Sequence, residues 1–187
     1  MHVIGAKDEI QSETTRLTLS PSFFLCFPVA LMLHLSVETP KDAQEVEYLY
    51  DLAFAPGRQA LSSYRLRDGV PPVAELCLVA RGGEGALAGA IRYWPVHIGA
   101  ADALLLGPVA VHPTRQGEGV GAQLISESLQ RAATLGWQRV ILVGDAPYYR
   151  RFGFSRVTGI NMPPPTNPNR VLGGLWWRAR LAAWRDQ

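Results

Sequence analysis

Between Val109 and Gly121 the chain reads VAVHPTRQGEGVG: an apolar run ends at a proline, three alternating glycines follow, and an amphipathic segment begins at once. Glycines at 117, 119 and 121 let backbone approach a ligand closely, and the amides that open a helix have no partner within it. The aligned peptide dipoles place about half a positive charge at that end, which makes phosphate the natural guest. Other chemistry is thinly represented. Cys26 and Cys77 make neither a disulfide framework nor a metal set, and His2, His34, His97 and His112 lack ligand spacing, so no metal is expected.

The loop needs elements to hold it. The 187 residues, 48% hydrophobic and 18% charged, suit one soluble domain with a substantial core. A net charge of +2 with scattered arginines gives no footprint for nucleic acid, and the setting expected is cytoplasmic. Residues 23–35 are apolar but too short to span a bilayer, and the stretch before them is not a basic leader, so no membrane association is expected. From Met32 onward apolar residues alternate as in a half-buried strand. We therefore expect residues 1–31 to be a non-native or disordered N-terminal extension, Met32 to be the natural start, and residues 32–187 to form a single domain.

Thr39, Pro40 and Asp42 open a predicted helix whose inner face is Ala43, Val46, Leu49, Tyr50, Ala53 and Phe54, ending at Pro56-Gly57. Residues 58–72 have no period, apart from room for a short helix. Strands are predicted over 75–81 and 86–97, joined by a glycine-rich hairpin, and over 103–111, where Gly107-Pro108 calls for a bulge or a splay. Val120, Leu124, Ile125, Leu129, Ala132 and Ala133 mark a helix that Gly136 ends. Strands over 139–144, 154–157 and 170–178 complete the pattern, with a short helix from Asp145 to Phe152 stopped by Gly153. The order is that of an α/β or α+β sheet.

Three readings compete for the glycines. A tight turn alone would use them. Gly117-x-Gly119-x-x-Ala122 also fits a dinucleotide fingerprint, with Asp145 after the next strand, but five residues separate the strand from the first glycine and too little chain follows for a doubly wound sheet. The third reading uses the surroundings. Gln116-x-x-Gly119-x-Gly121 resembles the (Arg/Gln)-x-x-Gly-x-(Gly/Ala) signature of the GCN5-related N-acetyltransferases (GNAT), and Tyr149-Arg150-Arg151-Phe152-Gly153-Phe154 resembles that superfamily's closing Y-x-x-x-G-F. Residues 105–111, 142–149, 53–58 and 91–96 are similar to its YhbS-like branch, so the resemblance runs from about Met32 to Val157.

That resemblance implies a GNAT fold: a mixed central sheet splayed between its fourth and fifth strands, with helices on both faces. It implies acetyl-CoA as co-substrate and direct transfer of the acetyl group to a primary amine on a small molecule or peptide. The main chain at Val109 and Val111 would pair with the pantetheine arm, and the amides of Gln116, Gly117, Glu118, Gly119, Val120 and Gly121 would hold the pyrophosphate. Tyr149 would protonate the departing thiolate, against the simpler reading that its ring packs on the cofactor; Tyr148 reads as structural. Glu75, His97 and His112 are candidate bases, each reading more simply as a surface or hydrogen-bonding residue, and water can carry the proton instead. The resemblance places the 58–72 segment near the acceptor, where Arg65 and Arg67, with Tyr64, would bind an acidic acceptor or, more simply, form a solvated face. Trp176 and Trp177 read as core or interface, which leaves a homodimer open. A silent CoA-binding sensor or interaction module is the alternative to an enzyme.

Overall fold

The computed structural model describes residues 33–175. The expectations for residues 1–31, for Met32 and for Trp176 and Trp177 lie outside these residues. Seven strands form one sheet: β1 (His34–Val37), β2 (Leu78–Arg81), β3 (Leu87–Ile98), β4 (Ala101–Val111), β5 (Arg139–Val143), β6 (Ser155–Arg156) and β7 (Val171–Leu175). Their order is β1-β2-β3-β4-β5-β7-β6, antiparallel throughout except for the parallel pair β4 and β5. Four α-helices accompany them: α1 (Ala43–Phe54), α2 (Ser62–Arg65), α3 (Val120–Thr134) and α4 (Ala146–Tyr149). No helix among the described residues is long and apolar enough to cross a membrane.

Alternation along the strands sends side chains to two faces, and a helix covers each. Leu78, Ile91, Tyr93 and Leu104 point to the face where α3 lays down Leu124, Ile125 and Leu129. Val79, Ala90 and Ala110 point the other way, under Val46, Leu49 and Tyr50 of α1. The helix α3 sits close because β3 has glycine beneath it: a Cβ at Gly89 would stand 2.9 Å from Leu124 Cδ1 and Val120 Cγ1. Overpacking of that kind costs about 1–3 kcal/mol. The one polar pair in this layer is satisfied. Ser128 Oγ donates to Leu124 O at 2.7 Å, so Tyr93 donates its hydroxyl proton to Ser128 Oγ at 2.8 Å.

Two predicted boundaries move. The helix α1 begins at Ala43 rather than Pro40, because Asp42 turns its carboxylate back to Thr39 N and Oγ1 at 2.8 and 2.7 Å and closes a separate turn. Its ends also run past the sheet, leaving Ala43, Ala53 and Phe54 exposed. The strand expected from 75 begins at Leu78, since Ala74–Leu76 forms a 3₁₀ turn that drops Leu76 into the core below α3. The predicted bulge falls where expected. Ile91 pairs with Val109 and Tyr93 with Leu106, so Gly107 and Pro108 together face the single residue Arg92.

Candidate functional site

The splay follows directly from the pairing. The strands β4 and β5 are joined only at Leu104 to Val140 and Leu105 to Ile141. Beyond that, β4 continues past the bulge to Val111, while β5 stays with β7 and Gly144 N donates to Arg170 O at 2.9 Å. The exposed edge of β4 has a definite polarity. His112 N donates to Ala88 O on β3 at 2.9 Å. Peptide groups alternate sides along a strand, so those of Val109 and Val111 face away from β3, into the gap that β5 has left.

A cavity of about 350 Å³ fills that gap. One wall is Gly107 to Val109 with Val111, the opposite wall is Val143 to Asp145 with Tyr148 and Tyr149, and Gly121 of α3 closes one end. Phe54, Leu61, Tyr64 and Arg67 line a further side. Of the residues expected to act, the structure thus brings Val109, Val111, Gly121 and Tyr149 around one space. Gln116, Gly117, Glu118 and Gly119 do not line it. They form the exposed loop leading into α3, and Val120 turns its side chain into the core.

That loop is shaped by backbone rather than crowding. Gly117 and Gly119 have φ of 84° and 81°, and a Cβ on either would meet nothing within 4 Å. The positive φ admits glycine at no steric cost and leaves open space above the amides. The first helical bond of this end runs from Gln123 N to Gly119 O at 3.0 Å, so the amides of Val120, Gly121 and Ala122 have no helical acceptor. The Glu118 side chain is held by Arg115 Nε at 2.7 Å.

Tyr149 ends α4, turned inward. Its ring meets Phe154 edge-on at 5.9 Å and Phe152 at 6.4 Å, and it packs against the main core. Burial pushes its phenol up to about 12, with the neighbouring Tyr148 and Asp145 adding to the rise. Tyr148 lines the cavity as well as packing in the way its structural reading expects. Its ring meets Tyr149 at 5.0 Å and Phe152 at 5.7 Å and crosses the gap: a Cβ on Gly121 would lie 3.0 Å from its hydroxyl. Arg151 stacks on that ring at 4.1 Å.

None of the three candidate bases reaches the cavity. His97 pairs with Asp102 at 3.0 Å on the exposed tip of the β3–β4 hairpin, His112 Nδ1 is bonded to Thr114, and Glu75 lies in the 3₁₀ turn before β2. The carboxylate that does line it is Asp145, 3.1 Å from Arg170. Of the two arginines for which a solvated face is one expectation, Arg65 is exposed and Arg67 is not. Arg58 is buried and bound to Asp51 at 2.7 Å, to Tyr64 Oη at 2.6 Å and to Glu47. Arg67 lies covered beside it, and only Arg65 is exposed. Aperiodic sequence carries no signal for such burial, because all the partners except Tyr64 come from α1 and β3. Among the described residues no cluster of His, Cys, Asp and Glu could hold a metal ion.

Comparison with known proteins agrees with this architecture. A family model described as an acetyltransferase (GNAT) domain matches residues 74–156. The uncharacterized N-acetyltransferase YhbS of Escherichia coli K12 is 33% identical over 120 residues, spanning 63% of this chain and 71% of the relative. The crystal structure of Escherichia coli YhbS in complex with CoA superposes with a TM-score of 0.63 at 27% identity, covering 77% of this chain and 81% of that one. A GNAT family acetyltransferase from Brucella melitensis, solved with acetyl-CoA, gives a TM-score of 0.58 at 34% identity over 73% of this chain and 94% of the other. The chain belongs to the GNAT family of N-acetyltransferases.

Proposed function

We propose that this N-acetyltransferase carries an acetyl group from acetyl-CoA directly to a primary amine, in the gap between β4 and β5. The observation that carries the reading is the edge of β4. Two successive outward peptide groups, at Val109 and Val111, lie on one wall of a cavity whose end is the first turn of α3. An amide-bearing arm needs such partners, and an opened sheet supplies them. The free amides from Gln116 to Gly121, with the dipole of α3 behind them, suit the pyrophosphate. The two relatives solved with CoA and acetyl-CoA support this choice of donor.

The thioester supplies an activated acyl group, and the residues of the gap do the rest. The amine nitrogen forms its bond to the carbonyl carbon and loses a proton to water. The N–H of Val109 faces the gap and is placed to steady the oxyanion. As the carbon–sulfur bond breaks, Tyr149 gives its proton to the thiolate and recovers one from solvent. At neutral pH a phenol holds its proton, as a donor must, and burial raises this one further.

The test combines calorimetry with an assay of thiol release. Acetyl-CoA should bind without any amine present, and a panel of primary amines should release CoA at rates above hydrolysis. Binding without release for every amine would overturn transfer in favour of a CoA sensor. Failure to bind would overturn the site itself.

A further inference from the structure

Arginines of the site region are neutralised, with one exception among the covered ones. Arg58 meets Asp51 and Glu47, and Arg92 grips Glu38 through two nitrogens at 2.8 and 2.6 Å and Glu47 through the third at 2.5 Å. Arg67 meets no acid: among the described residues no carboxylate oxygen lies within 4.0 Å of its guanidinium. It lies between the ring of Tyr64 at 4.3 Å and that of Trp94 at 4.5 Å, with Nε and Nη1 covered and lacking any acceptor. Aromatic faces offset part of the cost of burying a cation, but not the loss of hydrogen bonds. Burial pulls Arg67 down to about 10, so it is still charged at neutral pH. A covered cation left without a counter-charge at the wall of a cavity marks a place for an anion from outside.

Its position says which anion. A second cavity, of about 550 Å³, lies along the 58–72 segment and shares Tyr64, Arg67 and Pro108 with the gap that holds Tyr149. Arg67 Nη2 points toward the β4 bulge, 3.8 Å from where a Cβ on Gly107 would be. A molecule in the second cavity therefore passes Arg67 on its way to the thioester position. Four arginines line this cavity against the two acids Glu47 and Asp68, and Glu47 is already bound by Arg58 and Arg92. With Nε and Nη1 covered, an anion approaches the guanidinium from the Nη2 edge, where a planar carboxylate that draws in a second nitrogen fits with parallel hydrogen bonds.

We propose that the second cavity receives the acceptor and that Arg67 binds a carboxylate on it, so that the substrate class is a small amine carrying a carboxylate. The proposal rests on the acetyl-transfer reading above. A small rotation of the guanidinium between the rings turns its idle donors to the ligand, while the amine of the same molecule extends past Pro108 into the gap.

Matched acceptors test this: glycine against glycinamide and β-alanine against its amide, with O-phosphoethanolamine as the phosphate case, each with acetyl-CoA. The amides have the more readily deprotonated amines, so chemistry alone favours them. The acids should nonetheless lead by about 10- to 100-fold in kcat/KM. Arg67→Gln should abolish that lead through a raised KM with kcat little changed, and Arg67→Lys should restore part of it. Amides equal to or faster than acids in the wild type would overturn the proposal whatever the variants do, and so would a lead that survives in Arg67→Gln. A larger rate with the phosphate compound, or a preference for succinyl-CoA over acetyl-CoA, would place the anion elsewhere and overturn it too. If no amine turns over, thermal shifts with CoA plus N-acetylglycine or N-acetylglycinamide decide: equal shifts refute the carboxylate site. Acetyl-CoA binding by calorimetry keeps the two readings apart, since its loss condemns the donor site and its retention leaves only this inference at stake.

Discussion

A methyl group on Gly144 would stand 2.4 Å from Cε2 of Tyr149 and 2.9 Å from its Cδ2. The strand end at Gly144 thus leaves out a side chain where the tyrosine ring lies flat against it. Leu142 Cδ1, also 2.9 Å from that point, closes the other side, so the methyl has nowhere to go except through the ring. Gly144→Ala should displace Tyr149 and lower kcat by at least about 10-fold, while acetyl-CoA affinity changes little. Tyr149→Phe keeps the ring and removes the proton, and should lower kcat by about 100-fold, the usual scale for one general acid. Steady-state rates and calorimetry on both variants check this. An unchanged rate in Tyr149→Phe would take the acid role from Tyr149 and leave it as packing.

Burial fixes the pH behaviour of that same phenol. Its value is raised, to about 12, so the proton is held at every pH below that and is lost only as the pH climbs toward it. The acid form is therefore complete across the working range. Turnover should rise with pH as the acceptor amine deprotonates and show no fall near pH 10, where an ordinary phenol of pKa about 10 would already be half ionised. A pH–rate profile with an alkaline fall centred near 10 in the wild type, absent in Tyr149→Phe, would show that the phenol titrates as if exposed.

What the sequence disclosed follows from how local each feature is. The glycine loop, α3 and the bulge at Gly107-Pro108 are written in a few adjacent residues, and all three were legible. Gly107-Pro108 points to a bulge or a splay, but which neighbour leaves β4 was legible only through resemblance, because a strand does not encode where its neighbour parts from it. The burial of Arg67 and the reach of Tyr148 across the cavity stay hidden in the sequence for the same reason. Trp94 and Gly121, which complete their surroundings, lie on β3 and α3, far away in sequence, and no period in the 58–72 segment points to Trp94. The start of α1 was misplaced by three residues because Asp42 serves two partners, Thr39 and Arg81, of which only the first is near in sequence.

The exposed loop offers a test with its own control. Gly119 has φ 81° and open space around its missing Cβ, so Gly119→Ala introduces strain of about 1–2 kcal/mol and no clash within the protein. Gly119→Asp introduces less strain, since aspartate tolerates the left-handed region better than alanine. It adds a negative charge where the pyrophosphate is expected. Calorimetric affinity for acetyl-CoA should therefore fall more in Gly119→Asp than in Gly119→Ala, by about 10-fold or more at low salt, and the gap should narrow as salt is added. Equal affinities for the two variants would move the pyrophosphate away from this loop.

Acid stability should report on the junction of α1 with β2. Asp42 accepts from Thr39 through one oxygen and from Arg81 Nη2 at 2.6 Å through the other, and these bonds, those of Thr39 first, lower its carboxyl from 3.8 to about 2. A carboxyl lowered by folding stabilises the folded state when ionised. That contribution is complete above the unfolded value near 4 and disappears as the pH falls through about 2. Asp42→Asn removes the charge while keeping the shape, and should cost about 1 kcal/mol at pH 7, in the range of a lost helix-end hydrogen bond. Urea unfolding of both proteins from pH 7 down to pH 2 should show the difference holding to about pH 4 and shrinking below it. A difference that stays constant to pH 2 would mean that the ionised carboxylate is not what ties Thr39 and Arg81 together.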